Sequence, residues 1–170
     1  MRDLRNPGAS SDGSEAARLA LLESETRYQT LFNSIDEGFC IIEFLDGPHG
    51  PLSDYIHIEA NPAYADQAGI PNVVGQKLRE MVPDEADDWI ARYRPVLVTG
   101  QPIRFEQELV ATGRRLELAA FRIEPPERRQ VAVLFKDVTA RWMAEQAFRS
   151  SNRFNQEIID SLSEIGRAHV

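Results

Sequence analysis

The segment Ile56-His57-Ile58-Glu59-Ala60-Asn61-Pro62-Ala63-Tyr64-Ala65-Asp66-Gln67-Ala68-Gly69 determines how the rest of the chain is interpreted. Up to Ala60, two sets of side chains alternate, which is typical of a half-buried β-strand. Asn61 can accept a backbone N–H as a helix N-cap, and Pro62 suits the first helical position because its missing N–H is not needed there. Gly69 can end the helix in a left-handed conformation. The segment therefore predicts a strand that is followed directly by a short helix.

A second motif, Asp137-Val138-Thr139, follows the last predicted strand. Together the two motifs resemble the PAS domain, a sensor module of bacterial signalling proteins, and the resemblance covers about residues 27–139. It implies an α+β fold: a five-stranded antiparallel sheet with short helices inserted between the second and third strands, flanked by N- and C-terminal signalling helices. It also implies that Asp137 and Thr139 couple the sheet to the helix that follows.

The chain divides into five predicted segments. Residues 1–13 are rich in Asn, Pro, Gly, Ser and Asp, which predicts a disordered lead because little apolar surface is available to offset the entropy of ordering. Residues 14–35 are expected to form an amphipathic helix, residues 36–139 the PAS domain, and residues 140–164 a C-terminal signalling helix. Residues 165–170 resemble a translated sequencing adapter, so we interpret them as a non-native tail of a truncated chain.

Alternation and turn residues define the strands of the central domain. The predicted strands are residues 38–44, 56–60, 103–110, 115–123 and 131–135. The first is apolar on both faces, which favours a central strand. The composition of residues 46–51 predicts a loop before the second strand.

A longer helix is predicted between the second and third strands. Asp84 is expected to cap it, with Asp87 in its first turn. Pro95 predicts a kink or an early unwinding, and Gly100 ends the helix. Four residues share one face and are expected to point into the core: Trp89, Tyr93, Val96 and Leu97.

Both flanking helices carry apolar residues at alternating three- and four-residue steps, as in a coiled coil. In the first helix these are Ala17, Leu21, Ser24, Tyr28, Leu31 and Ile35. In the last they are Ala144, Ala147, Ser151, Phe154, Ile158 and Ser161, with Phe148, Asn155 and Leu162 beside them. We expect residues 28–35 to pack on their own domain, and residues 17–24 and the last helix to pair with a second copy in a homodimer. The alternative for the last helix is that it folds back on its own sheet.

A short pattern occurs twice, at residues 31–37 and 158–164. An apolar pair, Asn or Asp, Ser, an apolar residue, a variable residue and Glu follow one another in both copies. The first copy leads into the first strand, so the second copy predicts the start of another module of the same kind. Chance similarity between two amphipathic helices is the alternative.

The composition excludes several classes of protein. The 170 residues carry a formal net charge of −8 without a basic cluster, which argues against a nucleic-acid partner. We find neither an apolar run of about 18 residues nor a signal peptide, so we expect a cytoplasmic location. The single cysteine, Cys40, excludes an internal disulfide and a cysteine-based zinc cluster, and is interpreted as a small buried apolar residue.

Motifs typical of enzymes are missing from the sequence, so we expect a non-catalytic domain. The resemblance implies sensing through a cavity between the sheet and the inserted helices. The long helix has no histidine for haem, and the Asn-Cys-Arg-Phe-Leu-Gln motif of flavin-binding LOV sensors is missing; Cys40 is likewise misplaced for a cinnamoyl photosensor. The cofactor is therefore an unidentified small molecule or none.

Six residues are singled out around this cavity. Tyr64, Trp89, Tyr93 and Phe105 are the candidates for its lining, although each also fits a plain core position. His57 and Arg104 are polar candidates on strands, and Arg104 cannot share a face with Phe105. Asn61 is assigned to helix capping rather than to a ligand.

Two hypotheses about function remain open, a sensor and a structural module. In the first, the chain is the sensory part of a truncated histidine kinase, or alternatively of a diguanylate cyclase, and relays a signal through its last helix. In the second, it is a structural dimerisation and spacer module without a ligand.

Overall fold

The computed structural model describes residues 9–168, and it describes side chains from residue 12 onward. The predicted disordered lead therefore lies partly outside the described residues. In chain order the elements are α1 (Ala9–Ser34), β1 (Gly38–Gly47), β2 (Gly50–Ala60), α2 (Ala63–Ala68), α3 (Leu78–Met81), α4 (Ala86–Thr99), β3 (Ile103–Leu109), β4 (Arg114–Arg122), a 3-10 turn (Pro126–Arg128), β5 (Gln130–Asp137) and α5 (Thr139–Ala168).

The five strands form one antiparallel sheet in the order β2-β1-β5-β4-β3. The last strand, β5, lies at the centre of the sheet, between β1 and β4. Residue Gly38 allows a close approach here, because a Cβ at this position would lie 2.4 Å from the ring of Phe135. The predicted α+β fold, with helices inserted between the second and third strands, is confirmed.

The β1–β2 hairpin is longer than the sequence indicated. Both strands extend into the predicted loop, so that Gly47 pairs with Gly50 and only Pro48 and His49 lie between them. The register shifts between Leu45 and Gly47. An irregular register of this kind lets residues with loop-like composition remain in a ladder.

The core lies between one face of the sheet and helices α2, α3 and α4. The four residues that were predicted to share one face of α4 are all buried: Trp89, Tyr93, Val96 and Leu97. From the sheet, Ile42, Phe44 and Val131 are almost completely excluded from solvent. Burying a large apolar side chain contributes about 1.5–3 kcal/mol, so this layer is the main source of stability.

The predicted cap of α4 and the early unwinding predicted at Pro95 as one alternative are both wrong. The residue at its N-cap is Glu85 rather than Asp84, because the helix begins at Ala86. The helix also does not unwind at Pro95 but continues to Thr99, before Gly100 adopts a left-handed conformation. Proline has no N–H to bond the carbonyl group of Ala91, four residues earlier. Both residues are exposed, so water can bond that carbonyl group instead.

Helix α1 contacts the domain through its last two turns. It begins at Ala9, so the part of the predicted disordered lead from Ala9 to Gly13 is helical; Asp12 lies in the first turn, where the helix dipole favours an acidic residue. Phe32 is 8% exposed and packs edge-on against Phe39, and the Tyr28 hydroxyl donates to Glu59 at 3.0 Å. By contrast, Leu31 of the predicted seam is 60% exposed.

Helix α5 extends for 30 residues beyond the sheet, through Ala168. Its apolar side chains are open to solvent; Ile158 is 43% and Leu162 62% exposed. None of the helices in the described part of the chain is long and apolar enough to cross a membrane.

Candidate functional site: the core cavity and the start of helix α5

A small cavity lies between the sheet and the inserted helices. Of the four candidates for its lining, Tyr64, Trp89 and Tyr93 border this space and Phe105 does not. Phe105 packs beside Tyr93 with ring centroids 5.9 Å apart, and the Arg92 guanidinium lies over the Phe105 ring, 4.9 Å from its centre. The free space is about 40 Å³. A few water molecules fit such a volume, whereas small-molecule sites usually provide about 300–1,000 Å³.

A hydrogen-bonded pair, the buried His57 and the half-buried Tyr64, forms one wall of the cavity. The His57 Nε2 atom lies 3.1 Å from the Tyr64 hydroxyl, and Nδ1 lies 3.4 Å from the carbonyl oxygen of Gln76. Burial lowers the pKa of His57 from 6.5 to about 4. The imidazole is therefore neutral at physiological pH and can act as both donor and acceptor.

Further polar groups converge on the same space. Burial raises the pKa values of Tyr55, Tyr64 and Tyr93 well above their usual range, and it raises the pKa of the Cys40 thiol to about 12. All four groups therefore stay protonated, and Cys40 is a poor nucleophile. The cavity thus offers neutral hydrogen-bonding groups in apolar surroundings.

A surface groove of about 410 Å³ adjoins this cavity. Tyr64 and Ile70 line both spaces, so these two side chains form the partition between them. The outer rim comes from the loop after α2, where Asn72 and Gly75 have positive φ angles. Movement of Tyr64 or Ile70 would therefore connect the groove with the cavity.

Asn61 joins three segments, and both polar atoms of its amide are hydrogen-bonded within the domain. Its Oδ1 accepts the N–H of Tyr64 at 3.1 Å, which is the contact of an N-cap, and also the N–H of Phe39 at 2.8 Å. Its Nδ2 donates to the carbonyl oxygen of Glu37 at 2.9 Å. The start of α2 is therefore fixed to the start of β1.

Asp137 and Thr139 connect the sheet to α5 through backbone atoms. The N–H of Thr139 donates to Asp137 Oδ1 at 2.9 Å, and the Thr139 hydroxyl bonds the same oxygen. That hydroxyl also accepts the N–H of Arg115 on β4 at 2.9 Å, while the N–H of Val138 donates to the Arg115 carbonyl at 2.8 Å. The first residue of α5 is thus hydrogen-bonded to two strands.

Gln67 was not predicted as a functional residue, yet it connects the segment before β1 to the end of β5. Its Oε1 accepts the N–H of Asp137 at 2.7 Å, and its Nε2 donates to the carbonyl oxygen of Asp36 at 3.0 Å. Arg114 adds a second link from α2, because its guanidinium contacts the Asp66 carbonyl and lies 3.9 Å from Asp137 Oδ2. No sequence periodicity marks either residue, since their partners are far away along the chain.

Glu85 is a second unpredicted residue. Its carboxylate is buried and accepts hydrogen bonds from the Trp89 indole at 2.7 Å and from the N–H of Ala111 at 2.9 Å. The N–H of Val110 completes the set at 3.2 Å. Glu85 therefore connects the start of α4 to the β3–β4 turn and orients one wall of the cavity.

Within the side chains that the structure describes, no three His, Cys, Asp or Glu residues come together as a metal site would require.

The sequence profile of the family described as the PAS fold matches residues 53–142, which is more than half of the chain. The chain belongs to this family. The match begins within β2 and ends just after α5 starts, so it includes the inserted helices and the Asp137–Thr139 link.

Solved structures share the PAS fold at low sequence identity. The PAS domain of an HTR-like protein from Haloarcula marismortui is 15% identical with a TM-score of 0.50, covering 72% of this chain and 98% of its own. The PAS domain of Bordetella pertussis BvgS is 13% identical with a TM-score of 0.50, covering 77% and 98%. An RNA-binding light-oxygen-voltage receptor is 14% identical with a TM-score of 0.54, covering 92% of this chain and 42% of the receptor. At these identities the likeness establishes the fold alone. None of the curated protein sequences matches the chain.

Proposed function

We propose that the chain is a cytoplasmic PAS sensor and dimerisation module that relays a signal through helix α5. One observation carries this proposal: α5 is hydrogen-bonded to the sheet through Asp137 and Thr139, and beyond that point it presents a long apolar stripe to solvent. A change in the sheet would therefore reach a helix that is suited to pairing. Relay of this kind requires an element with two states that both ends can bias, and a pair of helices can meet that requirement.

The partner of α5 in this proposal is the same helix of a second copy. Ser151, Phe154 and Ile158 belong to a seam with three- and four-residue steps, which allows two identical helices to interlock. We further propose that the parent protein is a sensor histidine kinase, because a dimeric kinase requires an input that changes how two helices pair.

A second candidate function is favoured by the size of the cavity. About 40 Å³ of free space suits a domain whose core is already filled by its own side chains. In this alternative the module dimerises and acts as a spacer, without a ligand.

Native mass spectrometry of the purified chain distinguishes the two functions. A reproducible added mass on the folded protein, lost on denaturation, supports the sensor. A bare protein mass, together with a melting temperature that no compound in a metabolite library changes, supports the spacer. His57→Phe is the matched control for specific binding, because it removes the central polar group of the cavity while keeping an aromatic ring.

A further inference from the structure

Two glutamates face each other across the β3–β4 pair, next to the start of α5. Glu106 and Glu117 are direct cross-strand partners, so their side chains lie on the same face of the sheet. Like charges in this position repel and weaken the pair of strands. The site therefore favours a cation between the two carboxylates.

Arg141, in the first turn of α5, supplies that cation. Its Nη2 atom lies 2.6 Å from Glu106 Oε1 and 3.2 Å from Glu117 Oε2. One guanidinium thus joins the helix to both strands and offsets their repulsion. The direct hydrogen bond to Arg141 and the nearby Lys136 lower the pKa of Glu117.

Neighbouring groups complete the arrangement. Lys136 Nζ lies 3.4 Å from Glu117 Oε1, and Arg115 Nε lies 3.5 Å from Glu106 Oε2. The Arg115 guanidinium also lies 5.3 Å from the ring centre of Trp142, the next residue of α5, which is within the range of a cation–π contact. Two successive residues of α5 are therefore in contact with charged groups of the sheet.

We propose that Glu106, Glu117, Arg115, Arg141 and Trp142 form an ionic latch that sets the direction in which α5 leaves the sheet. The Asp137–Thr139 link fixes where the helix starts, but a helix held at one point can still swing. The latch provides a second attachment, to the edge strand β3 and its neighbour β4. Because its charges are partly exposed, each ion pair contributes little and is screened by salt, so the latch can open without unfolding the domain. In this role Arg141 is a positioning residue of the relay, and the inference rests on the proposed function.

Acrylamide quenching of tryptophan fluorescence tests the latch directly. Trp89 is 4% exposed, so the quenchable signal comes from Trp142. Arg141→Gln is expected to raise the quenching constant roughly twofold, and wild-type protein should show a similar rise between about 0.05 M and about 1 M salt. Arg149→Gln is the matched control, because it removes the same charge two turns further along α5, at a residue without an ion pair in the described part of the chain.

A second variant keeps the test independent of any effect on folding. Glu106→Gln combined with Glu117→Gln removes the partners of Arg141 and also their mutual repulsion. The lost repulsion offsets the loss of the exposed ion pairs with Arg115 and Lys136, so we expect the sheet to keep its stability. The quenching constant should rise as in Arg141→Gln, and the triple variant should show no further rise, because all three substitutions break the same contact. Equal constants for Arg141→Gln and Arg149→Gln, or additive effects in the triple variant, would overturn the latch. The proposed relay is judged separately by sedimentation, since α5 can pair with or without the latch.

Discussion

The lowered pKa of the buried His57 makes the stability of the domain depend on pH. The unfolded state binds a proton near pH 6.5, whereas the buried imidazole resists protonation until about pH 4. Between these two values the unfolded state carries more protons, so the free energy of unfolding decreases as the pH falls. The contribution of His57 to the free energy of unfolding is present in full well above pH 6.5.

This difference gives a prediction for acid stability. Urea denaturation of the wild-type protein should show a loss of about 2 kcal/mol in the free energy of unfolding between pH 7 and pH 5 that is attributable to His57. His57→Gln keeps a polar side chain without a titrating group, so the variant should lose most of that pH dependence. The same change with pH in both proteins would contradict a buried neutral histidine.

The residues that the sequence predicted and those that it missed differ in the range of their contacts. Asn61 and Gly69 were assigned from their immediate neighbours, and their hydrogen bonds at the ends of α2 are as local as the capping rules describe. The bonds of Asn61 to Phe39 and Glu37 join distant parts of the chain and were not predicted. Gln67 contacts Asp137, and Glu85 contacts Ala111, across long stretches of chain. Neither contact leaves a periodic signal, so only the folded structure identifies them.

At the scale of an element, the start of α5 depends on a few hydrogen bonds. Thr139→Ala removes the hydroxyl that accepts the Arg115 N–H, and Asp137→Ala removes the acceptor of the Thr139 N–H. Each loss costs about 1 kcal/mol, so the amides in the first two turns of α5 should exchange with deuterium roughly fivefold faster. The amides of β4 beyond Arg115 should be unaffected.

Ser150→Ala is the control for this experiment, because it removes a hydroxyl from the exposed part of the same helix. Unchanged exchange in the first two turns for both Asp137→Ala and Thr139→Ala would show that these residues do not couple the sheet to α5. In the parent protein, a normal response to its stimulus by either variant would lead to the same conclusion.

Pairing of α5 is a second prediction at this scale. Ile158→Lys places a charge within the apolar seam, so sedimentation equilibrium should show a dimer that is weakened at least roughly tenfold. Ser163→Lys adds the same charge on another side of the helix and should leave the affinity nearly unchanged. Identical affinities for the two variants would exclude this seam as the interface.

Element boundaries were predicted less well than element types. The three-four periodicity identified both flanking helices. Two-residue alternation identified four of the five strands, and an apolar run identified the first. The β1–β2 hairpin and the N-terminus of α4 were misplaced, because a register shift and a change of cap residue depend on tertiary contacts rather than on composition.

At the scale of the whole molecule, the end of β5 connects the cavity to the start of α5. Tyr64 packs against Phe135 on β5 with ring centroids 5.0 Å apart, and β5 leads directly to Asp137 and α5. A ligand that displaced Tyr64 would therefore disturb the central strand two residues before the link. This arrangement connects the sensor hypothesis to the relay without requiring a large movement of the domain.

The distance between the two α5 helices tests the central proposal most directly. A nitroxide label on Gln156→Cys reacts selectively because the only native thiol, Cys40, is buried. Double electron–electron resonance measures the distance between the nitroxides on the two copies. It should give one narrow distribution, as expected for paired helices whose axes lie about 10 Å apart. Adding Asp137→Ala and Thr139→Ala should broaden or shift that distribution while the dimer persists. A protein without an intermolecular distance, or a distribution that the two substitutions leave unchanged, would contradict a relay from the sheet to paired helices.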